Sequence, residues 1–226
     1  RGCRVRVDLY GDEIGNVTLI DAMGDDLRAV QSARVSFLRD ELDRSEPNER
    51  DTRLIRFLLR EGHTSPFEHS VITFRVTVPL FVRAQIMRHR TFSYNEVSRR
   101  YTSEKLEILI PQELRTQSES NLQCSDGVMP LSESGELMDR MRAHMRESLN
   151  LYGHLISHGV TREQARAVLP QSMYTTFWMT GNLHNFIKFL RLRLDEHTQA
   201  ETRAVAEGMR ELLSALFPVT FEALDQ

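Results

Sequence analysis

The sequence predicts an α+β fold, a mixed sheet with flanking helices and long C-terminal helices. Two observations lead there, and a third bears on ligands. Runs rich in β-branched and aromatic residues, such as "SVITFRVTVPLFV" and "SMYTTFWMTG", stand among clearly amphipathic stretches. The two kinds of segment follow one another without the regular β-α-β alternation of a doubly wound sheet. The 11 glycines form neither G-x-G-x-x-G nor G-x-x-x-x-G-K-[ST]. Any nucleotide or phosphate is therefore held by side chains rather than by a glycine cradle at a helix start.

Taken in order, "RVRVDLY" and "NVTLIDAM" read as short strands. "DDLRAVQSARVSF" places Leu27, Val30 and Ala33 at helical spacing. "NERDTRLIRFLLREGH" is an amphipathic helix with Leu54, Phe57 and Leu58 on one face and Gly62 at its stop. After the proline turn "TSPFEH" comes the strongest strand, ended by Pro79, which opens a helix running through Gln85 to about His89. A polar loop and a short strand near "LEILI" follow, then a surface excursion with few apolar residues, 116–135. A long helix is expected from about Glu136 to His158, stopped by Gly159. Thr161 and Gln164 form a capping pair for "TREQARAVL", which Pro170 terminates. A strand over "SMYTTFWMTG" precedes one or two C-terminal helices.

With 226 residues the chain can bury a sizeable core. Lys and Arg number 29 against 32 Asp and Glu, a formal charge of −3. The chain as a whole is thus not a polyanion binder, and any basic patch is local. The two cysteines, Cys3 and Cys124, suit a reducing compartment rather than a disulfide framework. No apolar run approaches the roughly 20 residues that span a bilayer. No signal-peptide pattern opens the chain, so a soluble, cytoplasmic protein without a membrane partner is expected.

The densest chemistry lies in "RHRTFSYNEVSRRYTS", from Arg88 to Ser103. Arginine's planar fork makes bidentate bonds to phosphate, carboxylate and base edges. Arg88, Arg90 and Arg100, with His89, can neutralise phosphate oxygens, while Ser93, Asn95, Glu96 and Ser98 can read a sugar or a base. The mixture suits a nucleotide: an anionic tail, a polar sugar and a planar ring. A solvated loop whose arginines pair with nearby acids fits the composition equally well.

Two further clusters stand out. In "FLRLRLDEHTQAET", Arg193 and His197 are four apart and share a helix face, whereas Arg191 points elsewhere, toward solvent. The plainer alternative is an ordinary helix surface. In "GHTSPFEH", His63, Ser65, Glu68 and His69 surround a proline turn, but the spacing matches no zinc pattern, so no metal is expected. Cys124 stands in a polar loop, a poor place for a positioned nucleophile, and Ser98 has no evident base beside it.

These residues carry a resemblance. "RHR", then seven residues, then Ser98 resembles the signature of the flavin-dependent thymidylate synthases, the alternative thymidylate synthase family. "LIDAMGDDLRAVQSARVSF", "GHTSPFEH", "ARAVLPQSMYTTFW" and "LRLRLDEHTQAE" are similar to family segments and stand in the family's order. The similarity covers nearly the whole chain as a single domain, 1–226, with 116–135 the variable stretch.

The resemblance implies conversion of dUMP to dTMP, with FAD, NADPH as reductant and methylenetetrahydrofolate as one-carbon donor. It also implies a homotetramer whose sites are assembled from several subunits, and no enzyme nucleophile. Residue by residue, it places Arg88, His89, Arg90 and Glu96 against FAD and the nucleotide. Ser65, Asn182 and His197 match flavin-contacting positions. Gln85, Ser98, Arg100 and Arg166 match dUMP contacts, with Arg88 and Glu96 shared between the ligands. Arg193 matches the catalytic arginine that faces the pyrimidine, and His63 a histidine on the flavin and folate side. Lys188 departs from the pattern, standing where an amide side chain near the flavin is expected; a lysine there can reach a phosphate instead.

Two other functions compete. A nucleic-acid-binding module would use the arginines with Phe92, Tyr94 and Tyr101, but the net charge opposes it. A non-catalytic flavin binder would have no use for Ser98, Arg166 and Arg193.

Overall fold

The computed structural model describes residues 5–39 and 45–225. Five strands form the main sheet: β1 (Arg6–Asp8), β2 (Asn16–Met23), β3 (Val71–Pro79), β4 (Ser93–Glu96) and, later in the chain, β7 (Tyr174–Asn182). Their order is β1-β2-β3-β7-β4, and every neighbouring pair is antiparallel. A separate hairpin joins β5 (Arg115–Gln117) to β6 (Ser125–Val128). The helices are α1 (Asp26–Arg34), α2 (Glu49–Arg60), α3 (Leu80–Ile86), α4 (Leu131–Ser157), α5 (Arg162–Ala165), α6 (Leu183–Arg193), α7 (Ala200–Leu216) and α8 (Pro218–Leu224).

Alternation along β3 decides which face of the sheet is covered. Ile72, Phe74, Val76 and Val78 point to one side and are fully buried. Phe177 and Met179 of β7 join them against Phe186, Phe189 and Leu190 of α6 and Val205, Met209 and Leu213 of α7. The opposite face carries Thr73, Arg75 and Thr77 across from Thr180, Trp178 and Thr176. There Thr73 and Thr77 exchange side-chain hydrogen bonds with Thr180 and Thr176, each at 3.0 Å. The sheet is therefore one-sided, with the helices on the apolar face.

Chain ends are tied together by Asp26. Buried at the start of α1, its carboxylate accepts from the backbone nitrogens of Val219 and Thr220 at 2.8 and 3.0 Å and from Thr220 Oγ1 at 2.6 Å. It thereby caps the first turn of α8 from almost the whole chain away.

Several expectations need correction. On α2 the buried positions are Asp51, Ile55 and Leu58. Phe57, expected inside, is 44% exposed and lies against the His63 ring instead. The polar motif is not all loop, because Ser93–Glu96 pairs with β7 as an edge strand. "LEILI" contributes only an isolated bridge, Ile108 to Met173. Helix α3 ends at Ile86, short of His89, and α4 begins at Leu131, inside the 116–135 excursion that also holds the β5–β6 hairpin. Thr161 precedes α5 but makes no side-chain cap bond. Gly62 and Gly159 follow their helices as expected, with φ of 69° and 83°.

Candidate functional site

Rigidity around the motif comes from aromatic packing beneath it. Phe92 is buried against Phe186 and Phe189 of α6, and Tyr94 OH donates to Ile86 O and His89 O at 3.1 and 3.0 Å. Burial pushes the Tyr94 phenol up to about 12, so it stays a donor. Gly181 on β7 makes room for this: a Cβ there would overlap the Phe92 ring at Cδ1 and Cε1.

Arg193 closes the end of α6 over the turn that follows α3. Its Nε donates to His89 Nε2 at 3.0 Å, and a terminal nitrogen donates to Gln85 O at 3.2 Å. His89 rests edge-on against Phe189. Burial, then the nearby charges of Arg193 and Lys188, lowers its pKa from 6.5 to about 4. The ring is thus neutral at pH 7, with its proton on Nδ1 so that Nε2 can accept. Gln85's side chain turns toward α7, bonding Gln199 and accepting from Thr202 Oγ1 at 2.9 Å.

Ser98, Glu96 and Arg166 share a different place. They line a cavity of about 470 Å³ with Arg83, Arg99 and Glu163. Glu96 Oε1 accepts from Thr175 Oγ1 at 2.7 Å and lies 3.2 Å from Arg83 Nε. Arg100 is exposed, donates to Ser98 Oγ at 3.4 Å and stacks on the Tyr101 ring, 5.3 Å from its centroid. Arg83 and Gln85, two residues apart on α3, project to opposite faces of the helix. One chain therefore divides the expected nucleotide contacts into two groups: Gln85, His89 and Arg193 on one side of α3, and Glu96, Ser98 and Arg166 on the other.

A third group borders α6. Exposed His63 lines a small cavity with His184, Ile187 and Arg191, and Ser65 begins the short 3-10 turn Ser65–His69 beside it. Asn182 caps α6, accepting from Asn185 N at 2.9 Å. Lys188, Arg88 and Arg90 are exposed. None of the three forms a salt bridge among the described residues, so their charge is left for an anion. Exposed cations without carboxylate partners are of the kind that pair with the phosphates of a dinucleotide such as FAD.

His197 corrects the helical reading of the C-terminal cluster. Helix α6 stops at Arg193, and Asp195 accepts from His197 N at 2.8 Å in the turn that follows. His197 is exposed, paired with Asp195 at 3.0 Å, and shares no helix face with Arg193. It lines a separate cavity of about 710 Å³ together with Cys124, Arg115 and Gln199. Cys124 is a free thiol whose Sγ lies 3.7 Å from His197 O, while Cys3 falls outside the described residues. Among the described residues no cluster of His, Cys, Asp and Glu could hold a metal ion, and no helix is long and apolar enough to cross a membrane.

Sequence reasoning passed over Arg83, Arg99 and Thr175. Arg99 donates to Glu104 O, Lys105 O and Tyr174 O, stapling the loop after the motif. Thr175 and Arg83 were within reach of pattern reading, one at the head of a strand beside the motif, the other two residues before Gln85.

The chain is similar to proteins already known. Residues 18–219 match the family model Thy1, described as thymidylate synthase complementing protein. A flavin-dependent thymidylate synthase of Thermus thermophilus is 40% identical over 212 residues, covering 94% of this chain and 76% of that protein. The enzyme of the same name from Treponema pallidum is 42% identical over 208 residues, 90% of this chain and 67% of its own. Among solved structures, the UMP/dUMP methylase PolB of Streptomyces cacaoi, bound with 5-bromo-dUMP, superposes with a TM-score of 0.85. It is 33% identical and 97% of each chain is covered. A second structure of PolB, bound with 5-bromo-UMP, gives a TM-score of 0.80 at 32% identity, with 92% of each chain covered.

The one-sided antiparallel sheet, with basic clusters on either side of α3, is thus the framework of an enzyme. This chain belongs to the Thy1 family of flavin-dependent thymidylate synthases.

Proposed function

We propose that this protein carries out the flavin-dependent reductive methylation of dUMP to dTMP, in the cytoplasm, with methylenetetrahydrofolate as one-carbon donor and NADPH as reductant of bound FAD. The observation that carries the reading is the fixed cation at Arg193, held by a neutral imidazole and a backbone carbonyl rather than by a carboxylate. Its charge is oriented but not neutralised, which suits stabilisation of negative charge developing on a pyrimidine ring. FAD, when bound, supplies a two-electron hydride carrier. Arg88, Arg90 and Lys188 hold its phosphates, with His89, Glu96, Ser65, Asn182 and His197 as further contacts and His63 toward the folate. Gln85, Arg88, Glu96, Ser98, Arg100 and Arg166 bind the nucleotide with Arg193.

The division of nucleotide contacts across α3 supports a homotetramer, in which one subunit's Glu96, Ser98, Arg100 and Arg166 meet another's Gln85 and Arg193. Exposed Tyr101 (78%) and Trp178 (48%), beside the motif loop and on the open sheet face, are surfaces that such neighbours would cover.

The test is dTMP formation from dUMP, methylenetetrahydrofolate and NADPH by FAD-loaded protein, with UMP as the competing substrate. Arg193→Ala should keep its flavin absorbance while losing most turnover, at least about a hundredfold. Near-normal dTMP production by that variant would remove Arg193 from the chemistry. Turnover of UMP but not dUMP would replace the substrate and leave the site.

A further inference from the structure

Three arginines line the cavity of about 470 Å³ beside Ser98, and their donors are committed differently. Arg99 spends both terminal nitrogens on backbone carbonyls: Glu104 O at 2.5 Å, Lys105 O at 3.0 Å and Tyr174 O at 3.3 Å. It is a structural staple. Arg166 gives only its Nε, to Glu163 O at 3.3 Å. Arg83 lies between these extremes. Its Nε is buried and sits 3.2 Å from Glu96 Oε1, an ion-pair distance without hydrogen-bond alignment. Among the described residues its terminal nitrogens find one acceptor, the Met87 thioether at 4.0 Å, which is weak.

We propose that Arg83 binds the substrate's phosphate, its terminal nitrogens acting with Arg166 and the Ser98 hydroxyl on a nucleoside monophosphate in this cavity. The inference rests on the nucleotide reading of the site. A guanidinium fork matches phosphate oxygens in a way that a point charge does not. Glu96, on the Nε side, fixes the direction of the fork without consuming its terminal donors. Thr175 in turn fixes Glu96 through the same Oε1, and Oε2 accepts no hydrogen bond among the described residues. Three arginines against two glutamates leave the lining net positive, as a phosphate dianion requires.

A purely positional role for Arg83, holding Glu96 in place, makes a different prediction. Phosphate binding concerns dUMP and not deoxyuridine, whereas a displaced Glu96 weakens both. The experiment is therefore equilibrium binding of dUMP and of deoxyuridine to the FAD-loaded protein, for wild type, Arg83→Ala and Arg83→Lys. Arg83→Ala should weaken dUMP by roughly ten- to a hundredfold and leave deoxyuridine unchanged, with Arg83→Lys intermediate. Unchanged dUMP affinity, or an equal loss for dUMP and deoxyuridine, overturns the proposal. Should Arg83→Ala fail to fold, Arg83→Lys decides by the same comparison. Failure of the wild type to bind dUMP at all would instead overturn the nucleotide reading beneath it.

Discussion

The bond between Arg193 and His89 depends on the protonation state of the histidine. Donation from Arg193 Nε to His89 Nε2 requires an unprotonated nitrogen, and burial keeps it so by lowering the histidine's pKa from 6.5 to about 4. The linkage has a definite sign. In the unfolded chain this histidine takes a proton near pH 6.5, but the folded site resists until about pH 4. Its contribution to stability is present above pH 6.5 and is lost as pH falls through about 4. Wild-type thermal stability should therefore fall over that interval more steeply than that of His89→Gln, which has nothing to protonate. Parallel pH profiles for the two proteins would show that His89 is not held neutral.

Among the elements, β7 brings the motif and the late helix together. Gly181 lets Phe92 lie against the strand, and Phe92 in turn packs on α6, whose last residue is Arg193. Gly181→Ala should cost about 1–3 kcal/mol by forcing the ring aside, measured as a lower denaturant midpoint, with weaker flavin retention. An unchanged midpoint would mean that Phe92 relaxes without strain. The long apolar elements, β3, β7, α6 and α7, were legible because their periodicity is set by burial. β4 was not, because "SYNE" has no apolar alternation and gains its strand from pairing at a sheet edge. The continuous helix through Arg193 and His197 also failed. Asp195 accepts from His197 N, and Thr198 Oγ1 donates to Leu192 O, side-chain bonds that offer the backbone a turn in place of another helical one.

For the whole molecule, the sequence names candidate site residues but not where they lie relative to one another. Chemistry and resemblance single out the RHR segment but pass over Arg99 within it, and spacing along the chain says nothing about which side of α3 each residue faces. In the proposed oligomer, subunits exchange the two groups so that both act on one nucleotide. Mixed oligomers of Arg166→Ala and Arg193→Ala, each inactive alone, test this directly. Co-refolding them should recover dTMP formation to about a quarter of wild type, the random chance of pairing two intact halves. No recovery from properly assembled mixed oligomers would mean that both halves come from one chain, against the division seen across α3.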